Sequence, residues 1–284
     1  MSDPSQYASY LKSLPVNPSI AAKVLEMVEK QEYSFKNLED IISADPGLTA
    51  KILKIANSAM YARQNRVTKL QGAMTLLGIN TIKNVVILVT GSSLFNQNTG
   101  SRFYASFWRH SLGTAFIARD LSVKLGAGFP EEAFIAGLLH NIGQVALFLH
   151  GPARYEALAD EATRNGLRFS ELEAAAYGTT HRDIGSEILT KWHFPEVYSD
   201  CAKEHGNANI TSSWKKVILV VSVSAFIAGN WFYFADDPKD WSLLDPLLIY
   251  LGLDAPWVEA YQAEYLERLQ ADKFYQECQN LITG

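Results

Sequence analysis

The sequence predicts an all-α protein built as a two-lobe helical bundle. Three observations predict it. Apolar residues recur at spacings of three and four, as in Leu38, Ile41 and Ile42 or Leu48, Ile52 and Ile55. Helix punctuation falls between these sets, with Asp45-Pro46 placed to open a helix and Gly78 placed to close one. No segment of alternating polarity suggests a strand.

Each element follows from such local signals. "NLEDIISADPGLTAKILKIANSA" gives two short helices, the second capped by Asp45, opened by Pro46 and stopped near Asn57 and Ser58. "TKLQGAMTLLG" places Leu70, Ala73, Met74 and Leu77 on one face, with Gly78 as its stop. Asn80 is a candidate cap for "TIKNVVILVTGSSLF", which is apolar enough to be buried on most sides. The polar stretch 96–101 reads as a loop joining the lobes. The second lobe opens with one long helix from about Phe103 to Gly126. Pro130-Glu131-Glu132 starts the next helix, which runs to His140. Further helices are expected at 153–165, 170–178, 181–192, 196–204 and 217–235, with Ser170 and Glu173 as a capping-box pair. The tail carries at least one more amphipathic helix, with Trp257, Tyr261, Tyr265 and Leu266 near one face.

Composition narrows the function classes. The chain has 284 residues, 48% of them hydrophobic, so a sizeable core is available. A net charge of −5 argues against tight non-specific binding to nucleic acid, which needs a basic face. Cys201 and Cys278 form no spaced set, which suits a reducing compartment and no disulfide framework. The first residues show no basic region followed by an apolar run, so no signal peptide is expected. Val217 to Ala235 are uncharged over about the length a bilayer requires. Ser222, Ser224, Gly229 and Asn230 interrupt that run, so a buried core helix is the better reading, with no second candidate span and a cytoplasmic location.

Several stretches together resemble the HDOD domain, a bacterial relative of the HD-type metal-dependent phosphohydrolases. The first lobe carries "LPVNP" (14–18), "DPGLTAKILKIANSAMY" (45–61) and "AMTLLG" (73–78). The second carries "FWRHSL" (107–112), "AFIAGLLHNIG" (133–143), "HRDIGSEILTKWHFP" (181–195) and "EH" (204–205). The resemblance implies a domain over 14–235, with lobes 14–100 and 101–235, and a helical extension over 236–284 packed on it. It also implies a regulatory role. The partners implied are other signalling proteins: a sensor kinase, a response regulator or a cyclic-dinucleotide protein.

In catalytic HD enzymes, as the family pattern runs, a first His, a His-Asp pair and a later Asp hold a metal. Here His110 matches the first His and His140 the second, but the paired position is Asn141. The later Asp falls near Ala225, and no Asp or Glu occurs between Glu204 and Asp236. Two imidazoles without a carboxylate bind a hard cation poorly. His181 and His205 match further histidine positions, so His110, His140, His181 and His205 form a four-imidazole set that could take Zn²⁺ or Ni²⁺. The preferred reading is four histidines kept as hydrogen-bonding core residues, with no catalytic residue and no cofactor. Glu204 could restore one acid by turning inward.

The expectation is therefore a non-catalytic signalling protein acting through protein–protein contact, with a degenerate HD site. The alternative is a metal-dependent phosphohydrolase of phosphodiesterase or nucleotidase type with a histidine-rich site. A second alternative is a DNA-binding regulator using Lys51 and Lys54 of the 46–56 helix, against which the acidic chain and an Asp-Pro turn both argue. His150 reads as a turn residue, His193 as packing beside Trp192, and Arg119-Asp120 and Arg182-Asp183 as surface charges.

Overall fold

The computed structural model describes Tyr7 and residues 18–58, 61, 66–93, 102–229 and 245–282. Every regular element among them is helical: α1 (Pro18–Glu29), α2 (Phe35–Ser43), α3 (Pro46–Ala56), α4 (Leu70–Leu77), α5 (Ile79–Ser93), α6 (Arg102–Lys124), α7 (Pro130–Leu139), α8 (Ile142–His150), α9 (Pro152–Asn165), α10 (Phe169–Tyr177), α11 (His181–Lys191), α12 (Glu196–Glu204), α13 (Lys215–Gly229), α14 (Asp245–Leu251), α15 (Ala255–Ala271) and α16 (Lys273–Gln279), ending in a short 3₁₀ turn. The "LPVN" of 14–17, the loop at 96–101 and residues 230–244, which hold the end of the expected 217–235 helix, lie outside the described residues.

Local chemistry explains the boundaries. Leu48 donates its backbone N–H to Asp45 Oδ1 at 2.9 Å, and Pro46 occupies the first turn, as expected. Gly78 takes φ of +76°, a conformation strained for any side-chain-bearing residue, and the chain turns through 116° between α4 and α5 there. Helix α5 starts at Ile79, so Asn80 lies inside its first turn and is not the cap expected. Ser170 is also inside a helix: α10 starts at Phe169, and the expected Ser170–Glu173 capping box is absent because Glu173 is engaged elsewhere. The helix expected to end at His140 does end there, but a new one, α8, resumes after Asn141. Helix α1, outside the elements expected from the sequence, buries Ala21, Val24 and Leu25 at helical spacing behind Pro18.

Helix α5 is the seam of the molecule. It packs on α1, α3 and α4 on one side and on α7 on the other. Two of its polar residues are buried and reach the start of α7: Lys83 Nζ lies 3.8 Å from Glu132 Oε1, and Asn84 Nδ2 donates to Glu131 Oε2. Tyr198 on α12 donates to Glu29 Oε1 on α1 at 3.2 Å and closes the other side. In the second lobe α6 packs along α7 and α13, and α11 packs on α8 and α12. The tail helices fasten to α6. Trp257, Tyr261 and Tyr265 stack in sequence at 5.3 Å spacing, Tyr261 donates to Asp120, Tyr265 donates to the Phe116 carbonyl, and Trp108 donates to the Cys278 carbonyl.

The apolar stretch that is long enough to cross a bilayer among the described residues is Pro130–His150, with 89% of its window buried inside the protein. The sequence reading placed the only candidate at 217–235. Glu131 and Glu132 in the first turn of α7, and the helix break at Asn141, hide Pro130–His150 from a search for uncharged runs.

Two glycines permit backbone contact between helices. A Cβ on Gly137 would sit 2.9 Å from Ala115 Cα on α6, and a Cβ on Gly143 would sit 2.0 Å from the His181 carbonyl oxygen on α11. Neither neighbour is a flexible side-chain end, so the helices themselves would have to separate. Gly143→Ala is expected to destabilise the protein by about 3 kcal/mol or more in denaturant titration. A variant within about 0.5 kcal/mol of the parent would show that the crossing is not tight.

Candidate functional site

The expected site residues come together. The close α6–α7 crossing at Gly137 places His110 Nε2 3.3 Å from His140 Nε2. The α8–α11 crossing at Gly143 brings the start of α11, and with it His181, beside Asn141. His205 follows α12, its ring centroid 4.9 Å from that of His140 and 5.6 Å from that of His181. All four imidazoles and Asn141 are buried. Ala225 is half-buried on α13, while the residue of that helix joined to the His205 region is Ser222, which accepts the Gly206 N–H at 2.9 Å.

Hydrogen bonds fix the ring nitrogens. His140 Nδ1 faces the Gly137 carbonyl at 2.7 Å, and His205 Nδ1 faces the Cys201 and Ala202 carbonyls at 3.0 Å. A carbonyl can only accept, so both nitrogens carry hydrogen. His181 Nδ1 lies 2.6 Å from Glu173 Oε2, and the same carboxylate accepts the His181 backbone N–H at 2.9 Å and the Tyr155 hydroxyl at 2.5 Å. Each of the three Nδ1 atoms is therefore anchored as a donor. Burial, then the neighbouring imidazoles of His205 and His110, hold the His140 pKa well below the usual histidine value, against the Gly137 carbonyl, which favours the proton. His140 is neutral, its Nε2 bears a lone pair, and the His110 contact is an N–H donated to it.

Glu173 is the residue that sequence reasoning missed. It was assigned to a helix cap, yet it is wholly buried among imidazole and phenol. A signal was present: Phe169, Glu173 and Tyr177 lie four residues apart on one face, so an acid on an apolar stripe marks a buried carboxylate. Glu204, the acid that could have restored one ligand by turning inward, points away, in line with the preferred reading. Its oxygens accept from the Thr211 N–H and hydroxyl and the Ser212 N–H, and it ties down the loop after α12.

The donors do not fit a hard divalent cation. Asn141, which the sequence pattern sets at the acid position, is fully buried, and among the described residues neither its Oδ1 nor its Nδ2 has a hydrogen-bond partner. Gln144 Nε2, three residues on, and Thr114 Oγ1 on α6 are also buried without partners among the described residues. Among the described residues no three His, Cys, Asp or Glu side chains are arranged to hold a metal ion. Glu173 contacts the outer nitrogen of His181, which is where a carboxylate orients a ligand and not where it coordinates.

An HDOD domain profile matches residues 14–208. The chain belongs to the HDOD domain family. In fold it is similar to an HDOD domain protein of unknown function from Geobacter sulfurreducens, at 20% identity and a TM-score of 0.74 over 98% of this chain and 96% of that one. It is also similar to a protein from Marinobacter aquaeolei VT8 described as a candidate signal transduction protein, at 20% identity and a TM-score of 0.75, covering 95% of this chain and 60% of that one. A candidate phosphohydrolase from Shewanella amazonensis SB2B matches at 24% identity and a TM-score of 0.70 over 98% and 97% of the two chains. An uncharacterized protein of Treponema pallidum is 22% identical over 201 residues; the match takes in 70% of this HDOD chain and 39% of that relative.

The remaining residues singled out in the sequence have varied surroundings. Lys51 reaches Ser92 on α5 at 3.4 Å, and burial lowers its pKa, so that side of α3 faces the protein and not a nucleic-acid groove. His150 ends α8 with its ring edge-on to Tyr7 at 5.1 Å. His193 is exposed rather than packed, with φ of +57°, and serves to end α11. Arg182 is buried and donates to Asn207 Oδ1 at 2.7 Å, and Arg119 and Asp120 are half-buried.

The buried neutral His140 has a pH signature. The unfolded chain binds a proton there near pH 6.5 and the folded chain does not. Stability is full above that value and falls as the pH drops below it, by up to about 1.4 kcal/mol per pH unit for one proton. His140→Gln is expected to flatten this slope in urea unfolding between about pH 7.5 and about pH 5. An unchanged slope in the variant would assign the effect to other groups.

Proposed function

We propose that this HDOD chain is a non-catalytic signalling protein of a bacterial cytoplasm that acts by binding another protein. A sensor kinase, a response regulator or a cyclic-dinucleotide protein is the class of partner. Residues 14–235 form the domain, and 236–284 are an extension packed on it. One observation carries the reading. The residue at the acid position of the pattern, Asn141, is neutral and fully buried, and the carboxylate among the imidazoles, Glu173, already accepts three hydrogen bonds from Tyr155 and His181. A hydrolytic metal would have to shed its water into a site that returns no anionic oxygen. The positions His110, His140, Asn141, His181, His205 and Ala225 then serve the scaffold.

A histidine-rich phosphohydrolase is the second reading, and a specific observation favours it. Nδ1 of His140, His181 and His205 is anchored as a donor in each case, so Nε2 is the nitrogen that each ring would turn to a borderline metal such as Zn²⁺ or Ni²⁺, with His140 giving up its contact with His110. The Shewanella amazonensis protein described as a candidate phosphohydrolase has the same fold.

Metal analysis of the purified protein, followed by phosphodiesterase and nucleotidase screens with Mn²⁺, Ni²⁺ and Mg²⁺, separates the two. Substoichiometric metal and no turnover are expected. Asn141→Asp is expected to strengthen Mn²⁺ binding by about tenfold or more, because it supplies the missing anionic oxygen. Stoichiometric metal in the parent protein, with turnover lost in His140→Ala, would establish the enzyme instead.

A further inference from the structure

We infer that the exposed face of α14, with Trp214 and the start of α13 beside it, is the contact through which two copies of this chain pair about a two-fold axis. The face lies apart from the histidine interior. Lys215, at its edge, precedes Ser222 by seven residues, or about 10 Å along α13.

Six large apolar side chains are exposed among the described residues, and three of them gather here. Trp214 is 41% exposed, Ile249 75% and Tyr250 55%. The others, Phe35, Val123 and Leu167, lie on α2, on α6 and after α9. Helix α14 packs on α13, buries Leu247 and Leu248, and turns Asp245, Pro246, Ile249 and Tyr250 to the outside. Those four positions form one helical stripe. Lys215 Nζ lies 4.4 Å from the centre of the Tyr250 ring, so the start of α13 borders the end of that stripe.

Trp214 is presented by a fastened loop. Glu204 accepts from the Thr211 N–H and hydroxyl and from the Ser212 N–H, Asp200 accepts the Ser212 hydroxyl, and Ser212 Oγ accepts the Trp214 N–H at 3.0 Å. Covering a residue whose backbone is already fixed costs little ordering entropy. Trp and Tyr are also the side chains that most often dominate contact energies.

Charge identifies the occupant. Asp245 opens the stripe, and Lys215 stands at its other end with Lys216 next to it. Among the described residues none of these three takes part in an ion pair. In a two-fold contact a patch meets its own copy reversed. An axis through the middle of the stripe sets Pro246 against the partner's Ile249, and Asp245 against the partner's Tyr250 and the Lys215 ammonium over it. Acid then meets cation twice, with ring and aliphatic surface between. An acidic partner protein or an anionic membrane would instead set like charge against Asp245.

The three apolar side chains expose roughly 350 Å² per copy. With their charged neighbours the pair buries about 1,000 Å² in total, the low end for a specific contact, so the dimer is weak and concentration-dependent.

Sedimentation velocity of the full chain between about 2 µM and about 500 µM tests this. A monomer–dimer equilibrium with a Kd of about 10–200 µM is expected, weakening as salt rises from about 0.05 M to about 0.5 M. Ile249→Glu is expected to abolish the dimer and leave the melting temperature of the chain unchanged. Asp245→Lys and Lys215→Glu are each expected to weaken pairing by about tenfold or more. The double variant is expected to return to within about threefold of the parent, a rescue that damage to the fold cannot produce. A chain that stays monomeric at about 500 µM, a dimer indifferent to Ile249→Glu, or a double variant no tighter than the single ones would each overturn the assignment. So would a monomeric chain that sediments with phosphatidylserine vesicles.

Discussion

At Gly137 and Gly143 two pairs of helices touch backbone to backbone, and the four histidines meet because of it. Without a side chain at 137, α7 lies against α6 closely enough for His110 and His140 to share a hydrogen bond. Without one at 143, the first turn of α11 sits on α8, and His181 enters the same interior. The helix break at His140–Asn141 completes the arrangement, because it ends α7 and leaves its C-cap, His140, buried in the interior. Packing of this kind is unforgiving: the elements are rigid, and nothing at either contact can rotate out of the way.

The interior so created is polar but holds little charge. Three imidazoles are anchored through Nδ1 on two sets of carbonyls and one carboxylate, and the electrostatic demand of that carboxylate is met by Tyr155 and His181. A buried acid is tolerable when its oxygens are occupied in this way. A dication would change the arithmetic, since the neutral Asn141 gives it no counter-charge. The helices hold these side chains in a hydrogen-bonded knot.

Much of the architecture was readable in the chain. The helix ends at Asp45-Pro46 and Gly78 depend on short-range chemistry, and so they could be read from neighbouring residues. The histidine set was legible through the family pattern. Contacts between distant segments were not. Nothing near Glu173 in sequence names Tyr155, and the misassigned cap shows how a local motif can imitate a tertiary role. The direction of Glu204 stayed open in the sequence, because its partners, Thr211 and Ser212, lie in a loop whose path no periodicity encodes. Arg119-Asp120 read as surface charge because the helices that half-cover it, α7 and α15, come from later in the chain.

Helix α6 is a wall common to two compartments. His110 on it faces the imidazole interior, while Trp108 and Phe116 hold the carbonyl of Cys278 and the hydroxyl of Tyr265 from the tail. Detaching α15 and α16 would strip an indole and a backbone carbonyl of their partners within a few residues of His110. The tail thus braces the same helix that carries His110, with its hydrogen bonds to α6 on either side of that residue.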